Sequence, residues 1–469
     1  MQDVVVVGAG IAGLTCAHAL AQAGRRVLCV EASDAAGGMM RSLRKDGYLF
    51  EAGPNTVPAS GADFRRLVAE AGLAERLLVS RSEAGTRYLW HGARLVPLPH
   101  GPGGLITTRL LSLGAKLRLM SEPFRRLSGD GARDPEPSFE EFLTERIGRE
   151  ATRTLAGAFV RGVYASEVEC LGARSAFPRL WKLAHEHGGL VRGMLGAKRS
   201  QAAPPEVFEG PPTRRGDLLS FPDGLAELPL ALASRLGANL RLGSAVQELE
   251  RGPAGWNLQL ETGESIRATK VVLATPGQVT HELLSLAAPD RLNLDGLYGM
   301  EQASITGVHL GLTGAELPLA FGFLVPPDEP RGPKAPAVLG TLFPSSIFEG
   351  RAPEGGSTVT IMLPSDEVEN MGDEQLVKHA HKQLTLAIGS EAAGQVRTSV
   401  VAHMSPAIPK YTIGHADRIT DLRRSIGRAM PGLELAGSWL AGVSVNDCIA
   451  SGKAAAQAVL QSTTEEVPV

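Results

Sequence analysis

The residues whose types and spacing could do chemistry stand at the start of the chain: Gly8-Ala9-Gly10-Ile11-Ala12-Gly13, with Glu31 following 18 residues after Gly13. Gly8 permits a tight strand-to-helix turn, Gly10 lets backbone approach a pyrophosphate, and Gly13 lets a helix pack closely on a strand. The free N–H groups and positive dipole end of such a helix then meet phosphate oxygens. Glu31 stands about where a carboxylate accepts hydrogen bonds from ribose hydroxyls.

The elements around these residues must hold them in place. Val4 to Val7 are four β-branched residues in a row, the pattern of a parallel strand buried on both faces. Leu14 to Ala23 reads as a helix, and Arg26-Val-Leu-Cys-Val30 as a second strand that Glu31 ends. A lone GxGxxG among 55 glycines is weak evidence. Strand, glycines, helix, strand and acid in that order point to dinucleotide binding. A glycine-rich turn in an ordinary βαβ unit does not explain the glycine spacing together with Glu31.

Ala36-Gly37-Gly38-Met39-Met40-Arg41 follows the acid, and Phe50-Glu51-Ala52-Gly53-Pro54-Asn55 follows that. A second Gly-Gly step lets backbone pass close to a large, permanently held cofactor. This extension resembles the amine oxidase-like flavoproteins, which implies that the dinucleotide is FAD. Nothing comparable marks a second nucleotide site for NAD(P).

The chain has 469 residues, 43% hydrophobic and 21% charged, as expected of a globular protein of two or three domains. A net charge of −3 gives no reason to expect nucleic acid as a partner. Cys16, Cys29, Cys170 and Cys448 are scattered without a CxxC pair, so reduced thiols are expected. The first strand begins at about residue 3, so no signal peptide is expected, and no apolar run reaches the ~18 residues of a spanning helix. The expected location is cytoplasmic, or on a membrane surface from its cytoplasmic side.

Along the chain, residues 62 to 78 keep helical spacing, and Arg87 to Leu98 reads as a hairpin turning at His91-Gly92. From Pro99 the texture becomes helical to about residue 200. Ser138-Phe-Glu-Glu141 is a capping box, Arg146 to Val160 continues as helix, and Phe177 to Lys198 makes another. Gln201 to Gly216 reads as a connection. Leu225 to Leu236 is helical, and Asn239 to Glu250, Trp256 to Glu261 and Ser265 to Ala274 are strands. Residues 297 to 365 are strand-rich, Gln375 to Ile388 is an amphipathic helix, and Val400 to His415 is extended. Ile419 to Met430 is helix, Leu433 to Gly437 strand, and about Ile449 to Gln461 the closing helix.

These segments carry motifs that resemble the protoporphyrinogen IX oxidase family across nearly the whole chain. Leu435-Ala-Gly437 and Gly442-Val-Ser-Val-Asn-Asp-Cys-Ile449 are similar to its closing motif, and Ile408-Pro-Lys-Tyr-Thr-Ile-Gly-His415 to its IPQYxxGH segment. Phe321-Gly-Phe-Leu-Val-Pro326 and Arg161-Gly-Val-Tyr-Ala165 resemble its substrate-cavity segments. The resemblance implies an α/β protein with a Rossmann-type FAD-binding domain (1–85, 215–290 and 405–469). A mixed-sheet substrate domain (86–98 and 291–404) and an α-helical membrane-associating insert (99–214) complete it. On composition alone, the insert's basic and apolar helices equally suit a soluble subdomain.

The implied activity is a six-electron oxidation of protoporphyrinogen IX to protoporphyrin IX, with dioxygen as acceptor and hydrogen peroxide as product. Hydride passes to flavin N5, so the hard chemistry is the cofactor's, and no side chain stands out as catalytic base. FAD contacts carried over are Gly8, Ala9, Gly10, Ile11, Ala12 and Gly13, then Glu31, Ala32, Gly38 and Met39. Further along they are Gly53, Pro54, Asn55, Thr56 and Val246, and at the C-terminus Gly437, Ser438, Val443, Ser444 and Val445.

On the substrate side, Phe321, Leu324 and Met362 match cavity positions, and Gly162 a glycine that leaves room for the macrocycle. Each apolar one also reads as plain strand core. Arg87 matches a position that pairs with a propionate, a sensible task for a fork of donors, though a solvated hairpin arginine looks the same in sequence. The family further implies a homodimer and product hand-off to the ferrochelatase step, neither of which any residue here marks.

Three positions depart from the pattern. Lys410 replaces the usual Gln, Asn55 agrees with plant members and not animal ones, and Met39 removes a cation that related amine oxidases carry beside the pyrophosphate. His185-Glu186-His187 lacks any partner motif for a metal, and histidines two apart on a helix face different ways. Coproporphyrinogen III oxidase of the Gram-positive type is the nearest alternative. It tends to have Pro-Asp-Cys-Ile where this chain has Asn446-Asp-Cys-Ile449, and its four-carboxylate substrate needs a more basic cavity. An amine oxidase would want an aromatic cage, against 5% aromatic residues here. A non-enzymatic FAD scaffold for porphyrins would hold flavin that porphyrinogen does not reduce.

Overall fold

The computed structural model describes residues 1–99, 101–125, 135–193, 208–287, 294, 296–297, 300–329 and 335–461. The end of the helix expected to reach Lys198 and the first part of the Gln201–Gly216 connection lie outside them.

Val4 to Val7 form the core of strand β1 (Gln2–Val7) and are all 5% exposed or less. β1 pairs in parallel with β2 (Val27–Val30) on one side and with the strand Ser265–Leu273 on the other. Leu240–Arg241 and Leu433–Leu435 extend this parallel sheet at its two flanks. Val246–Gly252 and Gly255–Leu260 continue it as antiparallel strands. Alternate side chains serve two cores. Val4 and Val6 pack with Leu14, Leu20 and Ile449 from helices on one face. Val5 and Val7 pack with Leu283, Ile419 and Leu422 on the other. Burial on both faces is what an unbroken apolar run requires.

A second sheet runs in the order Gln395–Pro409, Gln302–Thr313, Gly356–Pro364, Gly340–Leu342, Gly322–Leu324, Arg87–Trp90, Leu95–Pro97. All neighbours are antiparallel except Gly322–Leu324 against Arg87–Trp90, so the sheet is mixed. The expected hairpin at 87–98 therefore forms its edge. Val308, Leu310 and Leu312 turn one face towards Leu376, Ala380 and Leu384 of the helix Asp373–Ile388. The other face meets the strand Tyr48–Glu51 and the helix Ala158–Tyr164.

Short helices over 101–187 make a separate core of Phe139, Phe142, Val160, Tyr164 and Leu171, which Tyr411 joins. The buried Glu136 carboxylate ties this layer to the rest. It accepts from the N–H groups of Arg174 (2.6 Å), Ser175 (3.0 Å) and Gly414 (2.9 Å). Among the described residues no helix is long and apolar enough to cross a membrane.

Several boundaries differ from expectation, each for a local reason. The helix from residue 62 ends at Glu70, because Gly72 turns to φ +71°, and residues 74–79 form a short turn and strand instead. The capping box at Ser138 opens Phe139–Ile147 as expected, Gly148 at φ +86° interrupts the helix there, and helical structure resumes at Arg149 and runs past Val160 to Tyr164. The helix after Phe177 covers Pro178–His187, breaks at left-handed Gly188, and resumes over residues 190–193. Asn239 to Glu250 is two strands, since the chain bends at Gly243 (φ +57°) to pass Ser33. The first helix starts earlier, at Ile11, so Ile11, Ala12 and Gly13 form its first turn. The helix expected from Ile419 starts at His415, so extended structure stops at Pro409. The last helix begins at Val445, not Ile449, because Ser444 and Asp447 cap it reciprocally.

Candidate functional site

The glycines behave as their spacing demands. Gly8 has φ +102°, and a Cβ there would lie 2.7 Å from the Ala274 carbonyl oxygen. A Cβ on Gly13 would lie 1.9 Å from the Gly8 oxygen, so helix and strand touch backbone to backbone. A Cβ on Gly10 would meet nothing within 4 Å: this is the open point of the turn. The second glycine turn lies directly on it. The Gly37 N–H donates to the Ala9 oxygen (2.8 Å), and a Cβ on Gly38 would be 3.1 Å from Gly10 Cα.

Glu31 braces this cradle. One carboxylate oxygen accepts from the Ala9 N–H (2.6 Å), the other from the Ser33 N–H (3.0 Å) and hydroxyl (2.7 Å). The segment leading to Val246 runs beside Glu31 and exposed Ala32, with the Ser244 N–H donating to the Glu31 carbonyl (2.7 Å). Gly53-Pro54-Asn55-Thr56 rests against the Gly37–Met40 turn, where a Cβ on Gly53 would be 1.8 Å from the Met39 oxygen. Asn55 donates from Nδ2 to the Gly53 oxygen (3.0 Å), while its buried Oδ1 has no partner among the described residues. Met39 leaves no cation, but Arg41 reaches back and donates from Nε to the Gly38 oxygen (3.1 Å). The sequence reading missed both Ser33 and Arg41.

The C-terminal group lies against the same helix. Ile11, Ala12 and Val445 share one buried cluster. Gly437, at φ +136°, donates its N–H to Ser451 Oγ (3.1 Å). The Ser438 oxygen accepts from the Tyr411 hydroxyl, which also accepts from the Gly442 N–H (2.7 Å). Val443 packs on the helical layer, and Ser444 caps the last helix. An open glycine turn, a second turn stacked on it, a carboxylate across its mouth and an orphaned buried acceptor at Asn55 fit a dinucleotide and a ring beyond it.

On the second sheet, register aligns Leu89, Leu324, Gly340, Met362, Gly307 and Ala402 in one row. Arg87, Gly322, Leu342, Thr360, His309 and Val400 form the next row on the same face. Leu324 is clamped. A Cβ on Gly162 would come within 2.3 Å of Leu324 Cδ2, and a Cβ on Gly340 within 2.6 Å of it and 3.3 Å of Met362 Cε. Gly162, Leu324 and Met362 are thus brought together, Gly162 arriving from the helix Ala158–Tyr164. Half-buried Phe321 carries the Arg87 guanidinium over its ring at 4.8 Å. Desolvation lowers the Arg87 pKa from its ordinary value, and no carboxylate pairs with it among the described residues.

Sequence reasoning missed Gly307, Gly322 and Gly340, although glycine inside a strand signals close approach of another group. Lys410, by contrast, is engaged with Glu301 at 3.2 Å. His185 packs on Trp181, with ring centroids 4.0 Å apart and Nδ1 2.7 Å from the Trp181 oxygen. Among the described residues no group of His, Cys, Asp or Glu could hold a metal.

A parallel sheet with stacked glycine turns, joined to a mixed sheet with glycines along one face, defines a class. The chain belongs to the flavin containing amine oxidoreductases, whose family model matches residues 11–460, and within them to the flavoproteins of protoporphyrinogen oxidase type. Its cofactor is FAD and it is an oxidoreductase. It is 31% identical over 485 residues to the protoporphyrinogen oxidase of Bos taurus, covering 98% of each chain. It is 25% identical over 475 residues to the coproporphyrinogen III oxidase of Bacillus subtilis, covering 97% of each. A crystal structure from Exiguobacterium sp. 255-15 shares the fold at TM-score 0.80 and 23% identity, over 98% of this chain and 99% of that one.

Proposed function

We propose that the chain oxidises protoporphyrinogen IX to protoporphyrin IX, using dioxygen and releasing hydrogen peroxide. FAD held in the cradle would supply the redox chemistry, hydride acceptance and electron transfer to dioxygen. The chain's own residues do the rest. Gly8 to Gly13, Glu31, Gly38 and the Gly53–Thr56 segment hold the dinucleotide, with Gly437, Ser438 and Val443 to Val445 closing over it. Leu324, Met362 and Phe321 seat the macrocycle and exclude water, and Arg87 takes a propionate. The domain division carried by this reading is 1–85, 215–290 and 405–469 for FAD, 86–98 and 291–404 for substrate, and 99–214 for the helices.

The observation that carries the reading is the sheet face itself. Two rows carry three buried glycines beside Leu324, Leu342 and Met362, and the Arg87 guanidinium at their edge has no carboxylate partner among the described residues. A floor of that kind suits a wide ring system with few carboxylates. Coproporphyrinogen III, with four, calls for more cations than this face offers among the described residues, where Arg87 lacks a carboxylate and Lys410 is paired with Glu301. Turnover of the two porphyrinogens side by side, followed by porphyrin fluorescence and peroxide, decides it. We expect protoporphyrinogen to have the higher kcat/KM by about tenfold or more, some 1.4 kcal/mol of discrimination. The reverse order would make the enzyme a coproporphyrinogen oxidase on the same fold.

The helical layer supports a peripheral membrane contact, on the inner face of the cell membrane. Leu113, Leu117 and Met120 are 78%, 69% and 53% exposed along the helix Leu113–Met120, and Phe124, 84% exposed, lies in the tight turn Glu122–Phe124 that follows it. Such a stripe, with Lys116 and Arg125 beside it, suits an anionic lipid surface. The double variant Leu117→Glu, Phe124→Glu is expected to lower co-sedimentation with phosphatidylglycerol vesicles at least about tenfold, since each buried side chain is worth roughly 1.5–3 kcal/mol. Turnover in detergent should stay unchanged. Equal sedimentation of both proteins would mean that this stripe does not touch lipid.

A further inference from the structure

Ile305, Gly307, His309 and Gly311 alternate on the face of the strand Gln302–Thr313 that looks away from the helix Asp373–Ile388. The strand Tyr48–Glu51 crosses part of that face. A Cβ on Gly311 would be 2.8 Å from the Tyr48 ring, and the Phe50 and His309 rings lie 6.1 Å apart. Beyond Phe50 the chain leaves for the cradle, where Gly53 meets Met39. His309 therefore stands at the seam between the nucleotide cradle and the glycine floor.

His309 is 1% exposed, with Nδ1 3.1 Å from Thr360 Oγ1 and Nε2 without a partner among the described residues. Burial pushes its pKa down to about 4, so near neutral pH the ring carries one N–H and one bare lone pair. An unmade buried hydrogen bond is costly and calls for an explanation. The ring leans over Gly307, where a Cβ would lie 3.2 Å from Nε2. Met404 Cε lies 3.5 Å from the same point, an unbranched thioether that can swing aside at little cost. The neighbours in the two rows, Leu324, Leu342, Met362 and Val400, offer no acceptor.

We propose that His309 contacts substrate: Nδ1–H donates to Thr360 Oγ1, and the Nε2 lone pair accepts a pyrrole N–H of the porphyrinogen on the glycine floor. This rests on the function proposed above. A porphyrinogen has tetrahedral bridging carbons, so its rings tilt and their N–H groups leave the mean plane towards a floor acceptor. The aromatic product holds its remaining N–H groups in plane and loses the contact. The bond thus favours substrate over product and eases release.

The test compares His309→Leu with His309→Gln, whose amide oxygen keeps an acceptor, both as FAD-loaded enzymes. For the leucine variant we expect KM for porphyrinogen raised about tenfold, the worth of one hydrogen bond. Its kcat should be little changed, its flavin-to-protein ratio that of wild type, and its inhibition constant for protoporphyrin IX nearly unmoved. Glutamine should restore most of the KM. Unchanged KM in the leucine variant, equal KM increases in both variants, or loss of flavin from both would each overturn the proposal. Wild-type enzyme that oxidises neither porphyrinogen overturns the function itself, and that is read before any variant is made.

Discussion

Gly13→Ala is expected to yield a protein that retains almost no flavin and melts well below wild type. The new Cβ would sit 1.9 Å from the Gly8 oxygen and 3.1 Å from Ala274 Cβ. Neither neighbour can yield. Gly8 is itself held at φ +102°, close against the Ala274 carbonyl, at the end of the central strand β1. The helix Ile11–Gln22 must therefore lift off its strand, and overpacking of this kind costs about 1–3 kcal/mol or more. The lift also carries the helix N-terminus away from the phosphates it should meet.

Gly10→Ala separates the two losses. Its Cβ would meet no protein atom, so the apoprotein should melt as wild type does. The methyl group would instead stand where the pyrophosphate must come, and retained flavin should fall about tenfold or more, a loss of some 1.4 kcal/mol in affinity. Flavin absorbance per protein and the melting temperature of both variants check this. Full flavin in Gly10→Ala would mean that the cofactor does not cross this turn.

The contrast shows why the nucleotide half was legible in the sequence. Backbone contact at Gly8 and Gly13 leaves a choice of one residue type, so the sequence records it, and the parallel sheet follows from Val4 to Val7. The second sheet was legible as strands but not as a face. Which side of Gln302–Thr313 turns to the site depends on pairing with Gly356–Pro364 and on the helix behind it, both distant in sequence. Gly340 likewise means little until Gly162 and Leu324 are brought against it from elsewhere in the chain. Helix ends were misread where one glycine dihedral decided them, as at Gly72, Gly148 and Gly188. A positive φ at glycine costs nothing locally and leaves no other trace.

Arg87→Ala is expected to raise KM for protoporphyrinogen by about 10- to 100-fold, because a hydrogen bond to a charged partner is worth roughly 1.5–3 kcal/mol. The guanidinium lies over the Phe321 ring at 4.8 Å, partly desolvated and without a carboxylate among the described residues. A cation held in that way is placed for an anion that arrives with the ligand. Arg87 is on the edge hairpin of the second sheet and takes no part in the cradle contacts, so flavin content should not change. Arg87→Lys keeps the charge but loses the fork and most of the stacking on Phe321, and should fall between alanine and wild type. The methyl ester of the substrate supplies the converse. Without a carboxylate, wild type and Arg87→Ala should bind it equally, and a remaining difference would assign Arg87 to packing on Phe321 and not to the propionate.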